Sequence, residues 1–175
     1  MSADDNRALW DRAMSYGEFL SRATENRSLW ENLYRLARLP AWATAPRPAG
    51  TRRHLLAIVE DWCGDASNTV PVLARLADEV EGIELRCILR DANPEVMDRY
   101  LTNGSRSIPI VIVYDEAFRE LGHWGPRPSE LQAWVLAHKG TMPKGELYKE
   151  TRKWYAKDRG ETTLRDLLAI MDRAA

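Results

Sequence analysis

The chain has 175 residues, a net charge of −1 and 45% apolar residues, the proportions of one globular domain with elaborations. Its arginines are interleaved with acids, so no bulk field draws it to nucleic acid or to an anionic membrane. The apolar runs near Leu55 and Ile108 are too short to span a bilayer.

Two cysteines make no disulfide framework, and three histidines, none paired with a cysteine at zinc-ligand spacing, make no metal site. The start, Met1-Ser2-Ala3-Asp4-Asp5, is polar and acidic, unlike a signal peptide. With so few cysteines, a reducing cytoplasm is the expected location.

In chain order, Leu9, Ala13, Tyr16 and Leu20 repeat at helical spacing and predict one amphipathic helix from about Asp4 to Leu20. Ser28 is placed to cap a second helix, with Glu31 at the capping-box position. Leu29, Leu33, Leu36 and Ala37 would form its apolar face, and Pro40 would end it. Both helices are expected to pack on a central domain, with a dimer or partner surface as the alternative. Pro40 to Gly50 reads as a linker. Its Trp42 is expected to dock on the domain, and its Pro46-Arg47-Pro48 is a weak polyproline signal.

The run His54-Leu55-Leu56-Ala57-Ile58-Val59 reads as a buried strand. Val70, Leu73, Ala74 and Ala77 then share one face of a helix that Gly82 ends. Ile83 to Arg90 alternates as a strand, and its arginines predict an edge or half-covered position. Asn93 and Pro94 open a short helix with Met97, Tyr100 and Leu101 inward. Asn103-Gly104 marks a turn. Ile110 to Tyr114 forms a strand, and Asp115-Glu116 turns tightly into a partner strand from Ala117 to His123. Ser129 would cap a helix to about His138. Leu147 to Asp158 is a charged helix, and a last helix turns Leu164, Leu167, Leu168 and Met171 inward.

The chemistry concentrates at Glu60-Asp61-Trp62-Cys63-Gly64-Asp65-Ala66, on the turn from the first central strand into the next helix. Cys63 stands at the helix start, where free N–H groups and the dipole favour a thiolate. Trp62-Cys63-Gly64 resembles the thioredoxin motif Trp-Cys-Gly-Pro-Cys. Ser107-Ile108-Pro109-Ile110-Val111-Ile112-Val113 resembles the segment that carries that fold's cis-proline. Pro109 lies 46 residues (109 − 63) after Cys63. Asp65 stands where the family has Pro, and Ala66 where it has the second Cys. The resemblance covers about Thr51 to Lys139. It is narrower to bacterial thioredoxin-like proteins with a Trp-Cys-Gly-Asp motif.

The resemblance implies an α/β thioredoxin fold: a central mixed sheet of about four strands flanked by helices, with N-terminal and C-terminal helical extensions. The expected division is residues 1–50 as N-terminal helices and linker, 51–140 as the thioredoxin-like domain, and 141–175 as a helical extension packed on it. Carried over, Cys63 is the catalytic thiol. Trp62, Gly64, Asp65, Ile108 and Pro109 would face an extended substrate peptide. The family's buried carboxylate, six residues before the first cysteine, is replaced by Ala57, so dithiol reduction is not expected.

Charge sets the reactivity of Cys63. One carboxylate at ~6 Å in an effective dielectric of about 40 costs the thiolate roughly 1.4 kcal/mol. Glu60, Asp61 and Asp65 would raise the thiol pKa, the helix start would lower it, and Arg106 could tip the balance. Asp65 is expected to serve mainly the free N–H groups of its helix. Cys87, mid-strand, is not placed to resolve a disulfide with Cys63. His54, His123 and Trp124 are read as packing.

The leading expectation is a single-thiol thiol-disulfide exchange protein. A partner's disulfide would form a mixed disulfide on Cys63, resolved by an external thiol such as glutathione. No metal or resident cofactor is expected. The alternative is a non-catalytic binding module or redox sensor using the Pro109 groove. A shared iron–sulfur cluster is a third reading, but the glutathione-binding residues it needs are not identifiable in the sequence.

Overall fold

The computed structural model describes residues 1–46 and 51–173. The core is a run of apolar β-formers that folds into a mixed sheet. β2 (Arg53–Val59) carries six consecutive buried residues, the pattern of a strand covered on both faces. It pairs in parallel with β3 (Ile83–Leu89) and antiparallel with β4 (Ile110–Tyr114). β5 (Glu120–Trp124) closes one side against β4. On the other side β1 (Met14–Ser15) pairs with Cys87 and Arg86 of β3, so the order is β1-β3-β2-β4-β5.

β1 corrects one expectation and decides between the two alternatives of another. The single N-terminal helix is instead α1 (Ala3–Asp11), β1, and α2 (Tyr16–Arg22). The break is local chemistry. The Ser15 hydroxyl accepts from the Glu18 N–H while the Glu18 carboxylate accepts from the Ser15 N–H, a capping box that starts a new helix. β3 is therefore not an edge strand, while the half-covered alternative holds: Glu84 is exposed and Arg86 partly buried. The Arg86 guanidinium donates to the Trp10 carbonyl and lies over the Trp10 ring.

α3 (Arg27–Leu36) starts at Asn26, in the left-handed region at φ 53°, not at Ser28, and Glu31 pairs with Arg27 instead. Its anchor is Trp30, with no exposed surface, while Leu29 and Leu36 face solvent. Trp42 is partly exposed, with the Arg165 guanidinium over its ring at 4.2 Å. Residues 47–50 of the linker, including most of Pro46-Arg47-Pro48, lie outside the described residues.

α4 (Gly64–Glu79) packs on α3 and β3. α5 (Pro94–Met97) begins after Asn93, whose amide bonds the Leu89 carbonyl rather than the helix; Met97 and Tyr100 are buried but Leu101 is exposed. The β4–β5 turn is longer than expected. The Asp115 carboxylate accepts from the Ala117 and Arg119 N–H groups, and Phe118 sits at φ 58°. α6 (Ser129–His138) starts after Pro128. Ser129 does not cap it: its N–H and hydroxyl both donate to Asp166. α7 (Lys144–Asp158) begins three residues earlier than the sequence suggests. α8 (Glu161–Met171) lies on β4, β5 and α4. Its Leu164, Leu167 and Met171 are fully buried in the same apolar cluster as the sheet. Among the described residues no helix is long and apolar enough to cross a membrane.

Candidate functional site

β2 ends at Val59 and the chain turns through Glu60-Asp61-Trp62 into α4, with Cys63 at the N-cap. The turn is held by its own acids. The Asp61 carboxylate accepts from the Thr24 N–H at 2.7 Å and the Glu25 N–H at 2.9 Å, and its carbonyl accepts from the Trp30 indole. Burial raises the Asp61 carboxyl, but these donors outweigh it and its pKa falls below the usual range. Glu60 accepts from the Asp91 N–H at 2.9 Å, and burial raises its pKa. Both carboxylates are thus spent on the turn rather than on Cys63. The α2–α3 connection and α3 have a positional role that the sequence did not reveal: they hold the loop from which the cysteine emerges.

The Cys63 thiol donates to the Ile108 carbonyl at 3.4 Å and accepts from the Ala66 N–H at 3.5 Å. The Ile108-Pro109 bond is cis. Cys63 is 7% exposed, and Trp62 beside it is 42% exposed with the Arg90 guanidinium over its ring. Burial pushes the Cys63 thiol up to about 11; the Ala66 N–H opposes this, Asp65 adds to it, and Arg127 opposes it. The expected balance between helix start and acids is therefore decided by desolvation. Cys87, fully buried, is pushed up to about 12 by burial alone.

Arg106 does not approach Cys63: its guanidinium grips Asp98 with two bonds, at 2.6 and 2.7 Å. The cation beside Cys63 is Arg127. Its Nη2 lies 2.6 Å from Asp65, while its Nη1 donates to Gln132 at 3.0 Å. The Tyr155 hydroxyl, from α7, donates to the other Asp65 oxygen at 2.9 Å. Asp65 is thus the centre of an Asp65–Arg127–Tyr155 cluster, and its side chain is only 14% exposed. Burial raises its pKa, against the pull of Arg127 and Tyr155. Its role is to tie α4 to the segment after β5 and to α7, not to satisfy its own helix. Sequence reasoning missed Arg127 and Tyr155. The dipeptide Gly125-Pro126 signalled a break but not where it pointed the next side chain.

That break is built against the cis-proline. Gly125 has φ 126°, and a Cβ there would lie 2.1 Å from the Pro109 carbonyl oxygen. Only glycine fits, because two backbones touch. The Gly125-Pro126 bond is also cis, and Arg127 follows it toward Asp65. Gly64, by contrast, has open space around its Cα, and nothing in the packing requires it.

The thioredoxin family profile matches residues 13–147. A solved protein of unknown function from Pseudomonas aeruginosa is 24% identical with a TM-score of 0.76, over 95% of this chain and 96% of that one. An HIV epitope scaffold is 21% identical, also at 0.76, over 97% of this chain and 98% of that one. These two likenesses speak to the fold alone. A search of curated proteins found no match. With a family match over most of its length, and a five-stranded mixed sheet that sets a cysteine at a helix start against a cis-proline, the chain belongs to the thioredoxin family.

Proposed function

We propose that this protein performs single-thiol exchange through Cys63, with the thiol held in reserve until a partner occupies the Pro109 groove. One observation carries the reading: the Cys63 sulfur contacts the Ile108 carbonyl at 3.4 Å, next to Pro109, at the head of α4. A partner strand laid along Ile108 would compete for that carbonyl and bring its own sulfur to Cys63.

The steps balance without a second internal thiol. Cys63 loses its proton and attacks one sulfur of a partner disulfide; the other sulfur leaves as a thiolate and takes up a proton. An external small thiol, glutathione or another, then attacks the Cys63 sulfur and frees the partner's second thiol. A second external thiol displaces Cys63. The partner's disulfide is reduced, two external thiols are oxidised to one disulfide, and Cys63 returns as a thiol. Ala66 offers no internal route. A cytoplasmic setting would supply the reducing thiol.

A second reading, a non-catalytic binding module, is favoured by the thiol's position near 11, where few molecules hold a thiolate at neutral pH.

The test is trapping. Purified protein is incubated with a peptide disulfide and mass is measured with and without glutathione. Single-thiol exchange gives a mixed disulfide that persists until glutathione is added and is lost in Cys63→Ser. No adduct on the folded wild type selects the binding module. Sustained turnover with thioredoxin reductase alone would overturn the mechanism.

A further inference from the structure

Beside the Cys63 loop lies a groove of about 560 Å³, within the range of roughly 300–1,000 Å³ common for ligand sites. One wall is the Thr102–Ser107 turn, and the other is α6 with the start of α7. It reaches the thiol's surroundings at two points. Ser107 precedes Ile108, whose carbonyl meets Cys63, and Arg127 is ion-paired to Asp65. Every charged residue lining the groove is a cation: Arg127, Lys139 and Lys144.

Asp65 neutralises Arg127, which leaves the two lysines. Among the described residues, no acid forms an ion pair with Lys139 or Lys144. Lys144 is the first residue of α7, a 15-residue helix with no side-chain cap, so its charge adds to a positive dipole end. Lys139 is at the C-cap of α6, where carbonyls offset part of its charge. Glu146 lies in the first turn of α7 but does not line the groove. The chain as a whole is −1, so this positive patch is local. Its remaining surface is mixed: Leu136 and Tyr148 are each 49% exposed, and Ser105 and Ser107 add hydroxyls.

We propose that this groove docks an acidic, partly apolar polypeptide segment of the protein whose disulfide Cys63 attacks. The lysines would meet its carboxylates, and Leu136 and Tyr148 its apolar side chains. The inference rests on the single-thiol reading for the exchange chemistry after docking, but docking itself needs no thiol.

The probe is a short rhodamine-labelled peptide of alternating glutamate and leucine, read by fluorescence anisotropy. Binding to the wild type should weaken with added salt, and Lys139→Glu with Lys144→Glu should weaken it roughly tenfold or more. Both lysines are surface side chains, and circular dichroism checks that the double variant is folded. Cys63→Ser should bind as the wild type does, so a failed thiol mechanism and a failed groove are told apart. The proposal is overturned if the peptide does not bind, if the double variant binds equally well, or if a lysine–leucine peptide binds as tightly. Tighter, lysine-dependent binding of a single-stranded oligonucleotide would also overturn it.

Discussion

Asp65 and Cys63 are two residues apart, yet they face opposite demands. Cys63 is buried and neutral, while Asp65 is buried among partners that favour its charge. With the thiol near 11, alkylation of folded protein should rise about tenfold per pH unit through neutrality. A plateau below about pH 9 would mean a thiolate the structure does not support. Asp65→Asn removes a like charge from Cys63 and loosens the hold on Arg127, so the Cys63 pKa should fall by about one unit. The same change leaves Arg127 without its carboxylate in a half-buried place. It should cost about 2–3 kcal/mol in urea unfolding, less than for a wholly buried orphan charge. Tyr155→Phe keeps the ring and loses one hydrogen bond, about 1 kcal/mol. Stability unchanged in both variants would show that the cluster does not tie α7 to α4.

At the scale of elements, the cis-proline loop and the segment after β5 are one unit. Gly125→Ala puts a Cβ into the Pro109 carbonyl at a φ that side chains rarely adopt, so it should lose at least about 3 kcal/mol and unseat Ile108 from Cys63. A variant as stable as the wild type would sink this coupling. Trp30→Ala empties a fully buried site and takes the shorter of two donors from the Asp61 carbonyl, leaving the Asn26 amide at 3.4 Å; about 3–5 kcal/mol is expected in the same assay. These elements also show what the sequence could disclose. The alternation from strand to helix around Cys63 and the segment at Pro109 were legible because continuous apolar runs and motif residues are local signals. The Ser15-Tyr16-Gly17-Glu18 capping box was equally local, but helical spacing across it masked the break. Arg127 and Tyr155 were not legible, because their meeting with Asp65 spans 62 (127 − 65) and 90 (155 − 65) positions. Nor was the redirection of Arg106 to Asp98: the Asn103-Gly104 turn was legible, but not that it folds Arg106 back onto an acid eight positions earlier (106 − 98).

Across the whole molecule, the far end of the sheet has its own ionisable core group. His54 opens the inward part of β2, 6% exposed, stacked on Phe118 at 4.4 Å and beside Trp10 at 4.9 Å. Its ring joins α1, the sheet and the β4–β5 turn, and its Nδ1 has no hydrogen-bond partner among the described residues. Burial lowers its pKa, outweighing the nearby Glu84 and Asp115, which act the other way. The folded state therefore prefers neutral His54, while the unfolded chain takes up a proton near its ordinary value of about 6.5. This contribution to stability is full above that value and is lost as pH falls through the depressed folded-state value. Urea midpoints should decline between about pH 7 and pH 5, and His54→Phe, which keeps an aromatic ring on Phe118 and Trp10, should flatten that decline. An equal decline in the variant would assign the pH response to other groups. The thiol chemistry should be indifferent to this substitution, because His54 and Cys63 sit at opposite ends of β2 and its exit turn. Unequal trapping of Cys63 in His54→Phe at neutral pH would show that the packing around His54 reaches the site.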